Sequence, residues 1–307
     1  MKAMQCLNID SPLGQGLWEG VRLSDVLREM GRIDCVRRIN FHGYHNHDAT
    51  QVFRSSLSYT DVFEPAPGYP PVIVCYKLNG RSLLLERGGP VRMVVPNAHG
   101  FKSVKWLTHI KLTNDYRVSD TYAVIDKIGN DPESHLKTYA SVEGADVTEP
   151  GREAEGSLQR TYRLGEPILL SGVAMSGRTP LLRVEYWVRR VANIDTPSTL
   201  RDDDHELLAA DWKPAELQAP PKNWGAIFPE GTDPAGVFGF DSGGTPKQWP
   251  LPMSYTNWSI EISDLPIGAY ELRARTVDVM GNKQPEPRPI QKNGRNAIGC
   301  RRVAVVP

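Results

Sequence analysis

Short apolar runs recur along the whole chain, and few of them keep the three-to-four spacing of a helix, so they read as strands. The pattern predicts strands over residues 36–41, 53–57, 72–76, 91–95 and 107–112, and again over 168–173, 182–189, 258–262, 270–277 and 301–306. The run 182–189 alternates Arg183 and Glu185 with Val184 and Tyr186, the period of a half-buried strand. The run 72–76, VIVCY, reads as a buried strand. Asn79-Gly80 behind it predicts a tight hairpin returning through 83–85. Helical signals are brief. Ser24 is placed to cap a helix carrying Val26, Leu27 and Met30 and ending at Gly31, and 61–63 reads as one turn before the proline-rich stretch 65–71.

This order of elements predicts an α+β protein in three parts. Residues 1–113 form a mixed first domain. The polar, lightly patterned segment 114–161 is a connector wrapping over it. Residues 162–307 form a β-sandwich, immunoglobulin-like in architecture only, because the Cys…Trp…Cys spacing is missing. A proline-rich insertion at 193–250 carries Trp212, Trp224, Phe228, Phe238, Phe240 and Trp249 and calls for a surface to pack on. Asp278 to Asn282 reads as the turn closing a strand.

Composition narrows the class without deciding it. At 40% hydrophobic and 23% charged residues the chain is ordinary for a folded protein. Its 27 glycines and 25 prolines, interleaved with apolar runs, mean turns and not disorder. Zero formal charge gives no bulk attraction to nucleic acid or to an anionic membrane. No apolar stretch approaches the length of a membrane span, and residues 1–30 carry no signal-peptide pattern. Cys6, Cys35, Cys75 and Cys300 form no CxxC pair and suggest neither a disulfide scaffold nor structural zinc; packing is the default role of Cys75.

Two stretches carry candidate chemistry. The first is 88–106, GGPVRMVVPNAHGFKSVKW, where Arg92, Lys102 and Lys105 with Ser103 describe a site for an anionic ligand; an ordinary hairpin with solvated ends is the alternative. The second is 42–48, HGYHNHD. Its His42, His45 and His47 lack helical spacing and an HExxH pattern, and only Asp48 lies near. A polar loop at a strand end, hydrogen bonding to an anionic cofactor, and metal ligation all remain open for it. In the connector, Tyr116 and Tyr122 read as anchors or, over a site, as catalytic groups.

Taken together, Gln5-Cys6, WEGVRLSDVL from Trp18, CYKLNG from Cys75, GGPVRMVVP from Gly88 and KSVKWL from Lys102 resemble the sulfite oxidase family of molybdenum enzymes. Residues 165–172, the strand near 270–278 and the Asn293-Gly294 turn extend the resemblance into that family's C-terminal dimerisation domain. The resemblance implies a molybdopterin cofactor, a pyranopterin dithiolene carrying molybdenum, with Cys6 as the thiolate ligand of the metal. It implies that Arg92, Lys105 and Ser103 contact the pterin phosphate, with Lys102 in the same cationic run. Arg87 stands where the family often has histidine, His42 is a neighbour of the cofactor, and Tyr116 or Tyr122 is the active-site tyrosine. It implies oxygen-atom transfer on a small substrate, an external electron carrier such as a c-type cytochrome, and a homodimer built through the second domain.

The departures bear on substrate. After the cysteine this chain has Leu7-Asn8-Ile9-Asp10-Ser11 where the family's sulfite oxidases have an arginine pair, and Thr256-Asn257-Trp258-Ser259 lacks the substrate arginine of the second domain. A compact dianion wants converging cations, so reduction of a sulfoxide or another oxide on the same cofactor is the competing activity, and a non-catalytic two-domain scaffold the competing class. The family's long segment before the ligand cysteine is also expected to be missing here, and with it any export signal. Location then reads as cytoplasmic for the chain as it stands and periplasmic with such a signal.

Overall fold

The computed structural model describes residues 1–9, 12–45, 48, 50–121, 131, 133–144, 160–196, 198, 200–201, 204–287, 290 and 293–307. The chain divides into two compact units. The first takes Met1–Leu136, Pro221–Ser254 and Arg288–Arg295; the second takes Lys137–Pro220, Tyr255–Pro287 and Asn296–Pro307.

The strands of the first unit are β1 (Lys2–Gln5), β2 (Pro12–Gly16), β3 (Trp18–Arg22), β4 (Arg38–Tyr44), β5 (Val52–Ser58), β6 (Ile73–Leu78), β7 (Arg81–Ser82), β8 (Arg92–Val94) and β9 (Leu107–Thr113). β1 pairs antiparallel with β2. β6 is the centre of a four-stranded sheet, with β3 on one side and β7 and β8 sharing the other at successive registers. β4 is the centre of a three-stranded sheet between β5 and β9. Leu23, Leu27, Ile39, Phe41, Leu57, Val62, Met93, Val95 and Val104 form the core that these elements share.

Local chemistry explains where the sequence pattern holds and where it slips. The helix α1 (Leu23–Arg28) buries Leu23 and Leu27, but its N-cap position is Arg22 and no side chain caps it. Ser24 lies inside the helix and its hydroxyl turns to Asp25, so the expected cap is corrected. α2 (Tyr59–Phe63) is stopped at its start by a reciprocal capping box between Ser58 and Asp61, a signal legible in the sequence but not used. Asn79 and Gly80 both have left-handed backbones, with φ of 50° and 74°, which fits a two-residue hairpin loop. The return strand is therefore Arg81–Ser82, earlier than expected, and Leu85–Arg87 forms a 3-10 turn. β6 is buried on one face only: Cys75 is enclosed while Tyr76 is exposed.

Among its described residues the second unit is strand and loop with one helical turn, α3 (His205–Leu208). Its strands are β10 (Tyr139–Ala140), β11 (Thr161–Arg163), β12 (Ile168–Met175), β13 (Leu181–Val191), β14 (Lys213–Leu217), β15 (Tyr255–Ile262), β16 (Gly268–Asp278) and β17 (Cys300–Val306). They follow the order β10-β12-β15-β14-β13-β16-β17-β11, with β14 bonded to both β13 and β15. Leu170, Val184, Trp258, Leu272 and Val303, drawn from both halves of that path, meet in one core. On the other face of β13 and β16, Glu185 pairs with Arg275, and Arg189 with Glu271. Helix is scarce throughout, so the expected α+β class reduces to a mostly sheet protein. Among the described residues no helix is long and apolar enough to cross a membrane.

The aromatic insertion is divided: Trp212 packs against Trp187 and Arg275 in the second unit, while the stretch from Trp224 to Trp249 finds its surface within the first. Trp224, Phe228, Val237, Phe240 and Leu251 form a small core of their own, against which Leu17 and Trp249 pack.

Candidate functional site

Cys6 leaves the end of β1 as a free, half-buried thiol. β1 is held against the loop that follows β8: Lys2 Nζ donates to the carbonyls of Pro96 at 2.7 Å and Ala98 at 3.1 Å. Gly100 comes so close to the strand that a Cβ on it would lie 3.3 Å from the Gln5 carbonyl oxygen. The Gln5 carboxamide, one residue before the thiol, is buried with neither its oxygen nor its nitrogen hydrogen-bonded. The loop that β1 meets, one residue before Cys6, is thus the start of the segment carrying Lys102, Ser103 and Lys105. Lys2, Val94 and Pro96 also line a cavity of about 1060 Å³, at the upper end of the range for small-molecule pockets.

The cations of this segment fall into different environments. Arg92 is buried and stacks on Trp18, with 5.2 Å from its guanidinium carbon to the ring centre. It donates through Nη1 to the Arg87 carbonyl at 2.9 Å, through Nη2 to the Ser103 carbonyl at 2.6 Å, and through Nε to its neighbour Met93. One guanidinium therefore ties the turn before β8 to the loop after it. Ser103 Oγ accepts from the Val95 N–H at 3.1 Å. Lys105 Nζ donates to the Glu86 carbonyl and lies over the Trp106 ring, and Trp106 Nε1 donates to Leu85. Gly88 sits between these contacts with φ of 97°, where a Cβ would run into the Lys105 side chain at 2.7 Å. Arg87 itself is exposed. Burial lowers Arg92 to about 10, against an upward pull from Cys75 and with a further push down from Arg87. Burial and then the charges of Arg92 and Arg87 lower Lys105 as well. An anion placed among Arg87, Arg92 and Lys105 would relieve that mutual repulsion.

Lys102 is elsewhere. Its ammonium is 0% exposed and pairs at 3.1 Å with Asp120, itself 1% exposed, while also donating to the Ser56 carbonyl at 2.9 Å. Asp120 in turn accepts from Ser55 Oγ and the Ser56 N–H. His42 stacks on His109 across β4 and β9. Tyr116 is 71% exposed, and its backbone carbonyl accepts from Arg38. His45 is buried with its ring against Phe53. Tyr122 and His47 lie outside the described residues. Among the described residues no group of three His, Cys, Asp or Glu side chains has the spacing to hold a metal ion. The structure thus brings Arg87, Arg92, Ser103 and Lys105 together, with the start of their loop against Gln5 at the end of β1, and sets Lys102, His42 and Tyr116 in other surroundings.

Sequence reasoning missed Lys2, Gln5 and Asp120. No periodic signal marks Lys2 or Gln5 in so short a strand, and Asp120 stands in a polar run among other polar residues. Lys2 has a measurable consequence. Burial, and secondarily the charge of Arg92, lower its ammonium from 10.5 to about 7. Between those values the unfolded chain binds the proton and the folded chain does not, so stability rises with pH across that window; below it both states are protonated and the full penalty is present. Unfolding free energies from urea titrations are expected to climb between about pH 7 and pH 10, and Lys2→Met is expected to flatten the climb. An unchanged slope in the variant would assign it to another group.

Residues 3–122 match the family described as "Oxidoreductase molybdopterin binding domain". The chain is 32% identical over 99 residues to the mitochondrial sulfite oxidase of Drosophila melanogaster, 32% of this chain and 17% of the fly protein. It is 27% identical over 223 residues to the mitochondrial sulfite oxidase of Macaca fascicularis, 66% of this chain and 37% of that protein. It is 34% identical over 102 residues to the NADH nitrate reductase of Volvox carteri, 31% of this chain and 12% of the relative. The chain therefore spans well under half the length of these curated relatives. Among solved structures it is similar to the sulfane dehydrogenase SoxCD from Paracoccus pantotrophus, with a TM-score of 0.60 at 18% identity, over 94% of this chain and 60% of that one. At that identity the likeness is one of fold.

Proposed function

Because the chain belongs to the sulfite oxidase family of molybdenum oxidoreductases, we infer that it is an oxygen-atom-transfer enzyme for a small substrate, with Cys6 as the protein's ligand to a molybdopterin-bound metal. The observation that carries this reading is a free, half-buried thiol one residue beyond the point where Gly100, at the start of the loop that Arg92 ties down, closes on the Gln5 carbonyl. The residues fit the group. A soft thiolate suits molybdenum. Arg87 and Lys105, whose side chains repel each other and Arg92, suit a terminal phosphate. The unpartnered Gln5 carboxamide beside Cys6 offers a buried donor and acceptor to a polar ring system.

When bound, the cofactor would supply a metal centre able to exchange one oxygen atom and two electrons with the substrate. The chain's own residues orient it. Cys6 would fix the metal at the end of β1. Lys105 and Arg87 would hold the phosphate, with Arg92 keeping their loops in place as a positioning residue. Ser103, whose hydroxyl already accepts from Val95, keeps its hydroxyl hydrogen for an anionic oxygen. An external electron carrier, such as a c-type cytochrome, is the proposed redox partner. The second unit is read as the family's dimerisation domain in immunoglobulin-like sandwich form; its single core shared by both halves of the eight-strand path supports that.

The test is metal analysis of the full-length protein, purified from a host that makes the cofactor, beside Cys6→Ser. The expected result is close to one molybdenum per chain in the wild type, with the sulfur-to-metal absorption altered in the variant. Absence of molybdenum from the wild type would sink the reading, and an unaltered spectrum in Cys6→Ser would remove Cys6 from the metal.

A further inference from the structure

The three-stranded sheet of the first unit carries a second cationic feature, away from the β8 turn. His42 on β4 stands opposite Arg54 on β5 and opposite His109 on β9. Residues directly opposite on antiparallel strands point to the same face, so the three side chains form one row, and Lys111, two residues along β9, shares that face. The two imidazoles stack with their centres 4.2 Å apart and their planes 24° from parallel. His109 Nδ1 is satisfied by Thr108 Oγ1 at 3.1 Å. His42 Nε2 is buried with no hydrogen-bond partner. Among the described residues neither the Arg54 guanidinium nor the Lys111 ammonium makes a hydrogen bond or an ion pair. Burial, followed by the influence of His109, Arg54 and Lys111, makes the His42 imidazole harder to protonate, with no carboxylate acting in the other direction.

Such an arrangement costs stability twice. Groups of like sign placed across neighbouring strands repel, and a buried nitrogen left without a partner loses its hydration for nothing in return. One kind of ligand removes both costs. Neighbouring strands lie about 4.8 Å apart, so the long Arg54 and Lys111 side chains, rising from the two outer strands, can close over His42 on the central one. A ligand there meets donors from three directions. A tetrahedral oxyanion has oxygens facing all of them, whereas a planar carboxylate has two. We propose that Arg54, His42, His109 and Lys111 form a binding site for a tetrahedral oxyanion of the sulfate or phosphate type. It does not involve Arg87, Arg92 or Lys105 and does not depend on molybdenum.

The site is tested by titrating the full chain with sodium sulfate at about pH 6.5, near the ordinary histidine value, at ionic strength held constant with sodium chloride. Heat of binding and the ring-nitrogen resonances of His42 are followed together. Saturable binding in the millimolar range is expected, with a shift at His42 Nε2 toward a donating N–H. Arg54→Gln and Lys111→Gln are each expected to weaken binding about tenfold, and Arg54→Lys to recover part of it. Circular dichroism shows that the variants are folded. A parallel titration with phenyl phosphate separates the sources: tighter binding than sulfate assigns the site to a phosphate ester, and weaker binding assigns it to a free oxyanion. The proposal is overturned if the wild type does not saturate, or if Arg54→Gln and Lys111→Gln bind sulfate as well as the wild type does.

Discussion

Asp120→Asn is expected to destabilise the first unit by about 3–5 kcal/mol, the usual cost of leaving one partner of a buried ion pair uncompensated. The carboxylate accepts from Lys102, from Ser55 Oγ and from the Ser56 N–H, and both members of the pair are closed off from solvent. Asparagine keeps an acceptor for the two serines but turns an amide toward the ammonium. Burial already lowers the pKa of Lys102, and the charge of Asp120 and its hydrogen bond raise it. Without the carboxylate, burial and the charge of Arg38 are opposed by Glu133 alone, and the folded variant gives up the Lys102 proton more readily than the unfolded chain does. The deficit of Asp120→Asn is therefore largest near neutral pH and shrinks as pH rises toward the ordinary lysine range. Combining it with Lys102→Met removes the stranded charge and is expected to return most of the loss. Urea midpoints for the single and double variants at two pH values decide the matter. A double variant no more stable than Asp120→Asn alone would mean that the serine contacts, and not the ion pair, carry the effect.

Arg92→Ala is expected to act on the other side of the same loop, with a loss of about 3–5 kcal/mol. Its guanidinium satisfies the carbonyls of Arg87 and Ser103 and packs on Trp18. Alanine leaves those carbonyls unpaired and removes the stacked surface. Arg92→Lys is expected to recover little, because an ammonium on a flexible stem lacks the planar fork that reaches two loops at once. Molybdenum content is the second readout. If Arg92 positions the phosphate-binding loops, Arg92→Lys loses metal out of proportion to its loss of stability. If the two losses track each other across both variants, Arg92 is a structural brace only.

The strands of both units were legible because a strand one of whose faces is buried must repeat at every second residue, as Leu182, Val184 and Tyr186 do in alternation with Arg183 and Glu185. The hairpin after β6 was legible because Asn79-Gly80 is one of few pairs that accept two left-handed backbones in succession. Helix starts were less so. Ser24 and Ser58 look alike in the sequence, but only Ser58 has a carboxylate three residues on, Asp61, to complete a reciprocal cap. In the cationic run, Arg92 could be picked out: an arginine within an apolar strand must find hydrogen bonds or leave the core. Lys102 and Lys105 could not be told apart, because three residues of spacing put one into the buried pair with Asp120 and the other at a Glu86 carbonyl. That difference is set by Asp120, eighteen residues further along, which no local pattern announces. The family resemblance supplied the thiol and the cofactor; the physical pattern alone would have left Cys6 a small apolar residue near a strand end.

The first unit is assembled from three separate stretches of chain, and the aromatic stretch Pro221–Ser254 is made only after much of the second unit's sequence. On the ribosome, at about 5–20 residues per second, the opening stretch then waits on the order of ten seconds for Trp224, Phe228 and Phe240 to emerge. During that interval Leu17 and its neighbours have no aromatic cover. The nascent chain therefore has a window in which an early apolar surface must be shielded by something other than its own sequence, and slowing elongation across 137–220 would lengthen that exposure without changing a single native contact.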